Sequence, residues 1–263
     1  MNMCKVIAVG SQKGGVAKTT TVANLGVELV NRGYRVLLID SDAQGSLTSS
    51  LGYREPDRME ITLAAIMEKE VNDEPYDAET FGILHHEEGI DILPGNIELS
   101  VLEVSLVNVW SRETVLKSYI DKVKGNYDYI LIDTAPSLGL ITLNVMVAAD
   151  RIIIPVQAAY LSLKGLEQLI KTIGKVRKGL NRELGIDGIL ITMLDTRTIY
   201  AREIVTTLNE AYGNKVRIYE SKIPFSVRAA EAAAEGVSIF RHAPDGKVAS
   251  AYRAFTEEVL ANV

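Results

Sequence analysis

The chain has 263 residues, 47% of them hydrophobic, with 34 acids against 28 bases and a formal net charge of −6. That length allows one large α/β domain with a real core, and the acidic balance argues against a generally basic nucleic-acid binder. Cys4 is the single cysteine, which excludes an internal disulfide and fits a reducing cytoplasm, while no apolar run reaches the roughly 18–20 residues that span a bilayer and no signal peptide is expected.

Residues 4–10 read as a first strand, and Thr19 to Asn31 as a first helix ended by Arg32-Gly33. Between them lies Lys13-Gly14-Gly15-Val16-Ala17-Lys18-Thr19-Thr20. Strand, glycine loop and helix are the context of a phosphate-binding loop. Glycines let backbone N–H groups turn inward around phosphate oxygens, and the helix start adds its positive dipole end. Lys18 can supply a point charge to the β- and γ-phosphates, and the Thr19 hydroxyl can ligate Mg²⁺. The usual GxxxxGK[ST] spacing is not kept: it would need glycines where Gln12 and Ala17 stand.

Val36 to Ile39 is a second continuous apolar run, followed by Asp40-Ser41-Asp42-Ala43-Gln44-Gly45. Such runs suit a parallel sheet covered on both faces, and acids after a strand's carboxyl end lie where open α/β sheets bind ligands. From Glu55 to Asp91 there are twelve acids and two bases, a net of −10, which leaves +4 for the rest. Residues 55–91 are expected to be an acidic surface excursion within a single 1–263 domain, with one helix from Leu63 to Glu70. Ile90 to Asn96 reads as a short strand and turn, with helices near 97–109 and 112–124. Tyr129 to Asp133 is a strand ending in an acid, and Thr134-Ala135-Pro136-Ser137 is expected to open a helix. This is a Walker B pattern, with Asp133 holding Mg²⁺ through water.

Strands at 151–156 and 188–194, a strand-like segment from Val216 to Ile223 closed by Pro224, and helices at 163–180, 199–212, 226–235 and 247–261 complete the alternation. A doubly wound, mostly parallel sheet with helices on both faces is the predicted fold. The helix at 163–180 and the turn after it carry Lys164, Lys171, Lys175, Arg177, Lys178 and Arg182 with only Glu167 between them. A charged run of this kind is ordinarily a solvated face. His85, His86 and His242 have no ligand-like spacing.

The loop resembles that of the deviant Walker A ATPases, KGGxxK[ST][ST], a group that includes the ParA and Soj partition ATPases, MinD and the nitrogenase iron protein. The resemblance to ParA and Soj proteins covers nearly the whole chain, through Asp40–Gly45, Leu93–Asn96, Asp133–Gly139, Ile154–Gln157, Thr192–Thr198 and Ile223–Ala232. It implies a slow ATPase that uses ATP and Mg²⁺. The ATP-bound form would be a homodimer that binds double-stranded DNA without sequence preference, at the nucleoid in the cytoplasm. A ParB-like centromere-binding partner would stimulate hydrolysis and release. By the same resemblance Lys13 reaches the partner's nucleotide across the dimer, and Asp42 positions or activates the attacking water. Gly14, Gly15, Val16, Ala17, Lys18, Thr19 and Thr20 bind nucleotide, Met193 and Pro224 lie near the adenine, and Arg197 and Arg228 match DNA-binding positions. Gly14 beside the trans lysine is expected to leave no room for a side chain.

The chain departs from the family pattern at Ala43, where proline is usual, and at Ala159, where similar proteins often carry a glutamate associated with the partner's ribose. Phe225 stands where the family often has arginine. A membrane-cycling protein like MinD is the alternative, but residues 254–263 carry two acids and no base, unlike an amphipathic membrane-binding helix. An electron donor like the iron protein would need two cysteines per subunit.

Overall fold

The computed structural model describes residues 4–157, 161–195 and 199–262. The first half runs β1 (Lys5–Val9), α1 (Lys18–Asn31), β2 (Val36–Ser41), α2 (Ser46–Ser50), α3 (Leu63–Val71), β3 (Leu84–His85), β4 (Asp91–Leu93), α4 (Glu98–Ser105), α5 (Val115–Val123) and β5 (Tyr129–Thr134). The second half runs α6 (Leu140–Ala148), β6 (Arg151–Gln157), α7 (Leu161–Gly179), β7 (Gly185–Leu194), α8 (Ile199–Tyr212), β8 (Ile218–Pro224), α9 (Val227–Glu235), α10 (Ile239–His242) and α11 (Lys247–Leu260).

The strands form one sheet in the order β3-β4-β2-β5-β1-β6-β7-β8. All neighbours are parallel except β3 and β4, which pair antiparallel through Leu84 with Ile92 and His85 with Asp91. The continuous apolar runs are the reason: β2 and β5 are buried along their whole length, as strands covered on both faces must be. Alternate residues of β1 serve opposite layers. Val6 and Ala8 pack with α3 to α8, while Ile7 and Val9 pack with α1 and α9 to α11. The chain builds outward from β1 first toward β2 and β4, later toward β6 to β8. The carboxyl end of β1 therefore lies at the change of direction, where open α/β sheets bind ligands.

Three expectations shift. The helix after β5 begins at Leu140 rather than at Thr134; Pro136 disfavours helical backbone at Ala135, and Gly139 is extended at φ −80°, ψ −174°. The expected helix 97–109 is shorter, because α4 gives way to a 3-10 turn at Leu106–Asn108. Residues 55–91 do more than cover the surface. Leu63, Ala64, Ile66 and Met67 of α3 are buried in the core, and β3 and β4 extend the sheet, so the exposed acids sit on elements that are anchored beneath. Among the described residues, no helix is long and apolar enough to cross a membrane.

Candidate functional site

The loop from Gly10 to Ala17 turns the chain from the carboxyl end of β1 into α1. Two residues bend it through left-handed backbone, Gly15 at φ 70° and Ala17 at φ 61°. A glycine adopts that conformation freely, whereas an alanine does so at a cost of about 1 kcal/mol. No side chain caps the start of α1 and no acid lies in its first turn. Its first N–H groups are therefore left for an anion.

Lys18, the first helical residue, is 7% exposed. Its Nζ donates to the Lys13 carbonyl at 3.4 Å, so the lysine folds back over its own loop. Burial pulls its ammonium below the usual lysine range, with the Asp133 and Asp42 charges acting the other way. Thr19 Oγ1 donates to Asp133 Oδ2 at 2.6 Å. The other Asp133 oxygen, Oδ1, is buried without a hydrogen-bond partner among the described residues. Burial pushes this carboxyl up, and the neighbouring Asp40 charge pushes the same way. A buried carboxylate oxygen with no donor, beside a threonine hydroxyl, is a donor set that suits a small divalent cation.

Asp40 is fully buried and accepts three bonds. Its Oδ2 takes the N–H of Thr48 at 2.8 Å and the Thr48 hydroxyl at 2.7 Å, and its Oδ1 takes the N–H of Asp42 at 3.2 Å. Ser41 Oγ donates to the Asp133 carbonyl at 2.5 Å. The loop that carries Asp42 is thus tied to β5 and α2 on both sides of that residue. Asp42 itself is half-buried and accepts the Gln44 N–H at 3.1 Å.

A cleft of ≈ 570 Å³ opens over these groups. Gly14, Gly15, Ala17, Lys18, Thr19, Thr20 and Asp42 line it, together with Met193, Pro224 and the α9 residues Ala229, Ala230 and Ala233. Met193, next to last in β7, has left-handed backbone, φ 52°, where the pairing of β7 with β8 shifts register. An unusual backbone at a cleft is where strain tends to be kept for function. Phe225 and Val227 also line the cleft, 60% and 62% exposed.

Not every expected residue reaches this cleft. Val16 is buried, and its carbonyl accepts from Thr192 Oγ1 at 2.9 Å. Lys13 is half-buried and does not line the cleft, and Asp133 lies behind Thr19. Arg228 is exposed on α9, between the lining residues Val227 and Ala229. Arg197 and Ala159 lie outside the described residues. Lys171 of the basic helix pairs with Glu167 at 2.6 Å, as on a solvated face.

Three further lining residues were not picked out by sequence reasoning. Tyr252 of α11 lines the cleft while its hydroxyl lies 3.3 Å from Thr21 Oγ1, and Val248 stands beside it. No motif marks them. Ala233 belongs to an alanine-rich helix, and that composition was the one available signal of a wall with little side-chain bulk.

The family model described as an AAA domain matches residues 4–186. The chain is 41% identical over 262 residues to the sporulation initiation inhibitor protein Soj of Bacillus subtilis, covering 99% of this chain and 100% of that one. It is 40% identical to the chromosome-partitioning ATPase Soj of Thermus thermophilus, over 98% of this chain and 96% of that one. A solved structure of cobyrinic acid a,c-diamide synthase from Mycobacterium smegmatis, with bound ATP analog and magnesium, superposes with a TM-score of 0.86 at 35% identity, over 98% and 94% of the two chains.

Proposed function

The chain belongs to the ParA/Soj family of P-loop partition ATPases, and from that premise we propose that it cycles on DNA under the control of its bound nucleotide. It is an ATPase that uses ATP and Mg²⁺. The observation that carries the reading is the shared cleft. It gathers an uncapped helix start, Lys18 and Thr19, with Asp133 behind it, in one cleft with the apolar residues Met193, Pro224 and Phe225.

In this reading the first N–H groups of α1 bind the phosphates and Lys18 neutralises them. Thr19 and Asp133 would hold the Mg²⁺, which would supply charge neutralisation at the transferred phosphoryl group. Phosphate and water would supply the cation's other ligands, as is common for Mg²⁺. Asp42 orients or activates the attacking water, and the hydrogen-bonded loop around Asp40 fixes its position. The apolar wall takes the base, with Phe225 adding an exposed aromatic face.

ATP would bring two copies face to face, with Lys13 of each directed to the other's nucleotide. The dimer binds DNA through phosphate contacts, in the cytoplasm on the nucleoid, and a ParB-like partner stimulates hydrolysis and release. Against a MinD-like membrane cycle stands α11, whose Val248, Ala249, Tyr252, Phe255 and Val259 are buried in the core. It keeps no apolar face for lipid.

Lys18→Ala and Asp42→Ala separate the roles. Lys18→Ala should weaken ATP binding at least tenfold and abolish turnover; Asp42→Ala should bind ATP normally and lose turnover. Nucleotide-binding titrations paired with phosphate-release rates read both, and an Asp42 variant that fails to bind ATP would end the assignment.

A further inference from the structure

Residues 134–139 join Asp133 to α6, and Pro136 among them lines the nucleotide cleft. Pro136 to Leu138 are exposed, so hydrogen bonds at the ends of the loop set its path. At the β5 end, Thr134 Oγ1 donates to the Val9 carbonyl at 3.0 Å. At the α6 end, Thr142 Oγ1 donates back to the Ser137 carbonyl at 2.8 Å. The loop therefore follows the first turn of α6.

That turn has no cap of its own. Gly139 stands at the cap position without a side chain to accept a bond, and no acid lies in the first turn. A helix start needs an acceptor for its free N–H groups. Glu103 supplies one from α4: the half-buried side chain accepts the Ile141 N–H at Oε1, 3.2 Å away. A carboxylate there also meets the positive end of the helix. Gly139 is what admits it. A Cβ at this position would overlap Glu103 Oε1 and stand 2.8 Å from its Cδ. The backbone itself, φ −80° and ψ −174°, is open to any residue. The carboxylate requires the glycine; the turn does not.

We propose that Glu103 is a positioning residue of the nucleotide site. By capping α6 it fixes the loop that leads from Asp133 and carries Pro136 into the cleft, and so keeps the cation side of the cleft in place. This role rests on the proposed hold of Asp133 on Mg²⁺. Glu103 touches neither nucleotide nor cation; it acts through the first turn of α6.

The test is ATP affinity, titrated with Mg²⁺ and with EDTA on the full chain, beside thermal melts. Glu103→Ala should weaken ATP binding about fivefold in Mg²⁺, within the range of a lost helix cap, and leave binding in EDTA unchanged. Gly139→Ala displaces the same carboxylate and should do the same. The double variant should be no weaker than either single one, because both substitutions remove one contact. Glu103→Gln keeps an acceptor oxygen and should bind as the parent does. Variants that melt lower yet bind ATP normally in Mg²⁺ would make the contact structural only and overturn the proposal. Equal losses in Mg²⁺ and EDTA, or additive losses in the double variant, would overturn it as well. A parent chain whose ATP affinity ignores Mg²⁺ would instead remove the cation site itself, and the role of Glu103 with it.

Discussion

Gly14 lies exposed in the phosphate loop, and a Cβ built there meets nothing within 4 Å. The expectation that this position has no room for a side chain concerns two backbones meeting around the phosphates, and one chain by itself leaves the space open. Any crowding has to come from nucleotide or from a second copy. Gly14→Val should accordingly fold with an unchanged melting temperature and still bind ATP, yet remain a monomer when ATP is added. Light scattering with and without ATP, beside a thermal melt, checks both halves; a normal dimer would remove the face-to-face geometry. The phosphate residues were legible because their chemistry depends on spacing along a few consecutive positions. Thr48 was not: its hold on Asp40 spans eight residues of sequence and arises only when α2 folds back over the end of β2. Val16 turns its side chain into the core, so only its backbone could serve a ligand, which the sequence alone does not reveal.

At the level of elements, α2 and α9 touch through two glycines that end them. Gly52 and Gly236 both have left-handed backbone, φ 91° and 81°, and a Cβ on Gly236 would stand 2.5 Å from Gly52 Cα. Arg54 Nη2 donates to the Ala234 carbonyl at 3.4 Å across the same junction. Since α2 follows the Asp42 loop and α9 lines the cleft, this contact fixes one wall relative to the other. Gly236→Ala combines a forbidden approach with an unfavourable φ, and should cost about 2–4 kcal/mol, read from urea unfolding. Its affinity for ATP should fall as α9 is pushed outward. Elements with long apolar periodicity were readable from sequence, and the strands above all, because burial on both faces leaves an unbroken run such as Tyr129 to Ile132. Short elements were not. Ser46–Ser50 and Ile239–His242 are too brief to show a period, and α10 depends on tertiary partners. Asn24 Oδ1 and Glu88 Oε2 accept the N–H groups of Ile239 and Ser238, each at 2.8 Å.

Across the whole molecule, the net charge of −6 is compatible with DNA binding only if the bases are gathered on one face, since residues 55–91 carry −10. Arg228 is exposed on a helix whose neighbouring residues line the nucleotide cleft, so a nucleotide-dependent dimer would duplicate it. Arg228→Ala should keep the ATP-dependent dimer and lose DNA, and binding by the parent chain should fall steeply with salt and ignore sequence. Mobility shifts on two unrelated duplexes, with ATP or ADP at two salt concentrations, test this; equal binding with both nucleotides would end the gating claim. The cleft also joins distant parts of the chain: the phosphate loop comes from residues 14–20, while Met193, Pro224, Val248 and Tyr252 also line it. During synthesis the loop leaves the ribosome first and these other lining residues between 173 and 238 residues later. A nascent chain carrying a complete phosphate loop still lacks an enclosed nucleotide site, and a stop codon before Tyr252 would yield a product with its loop permanently open.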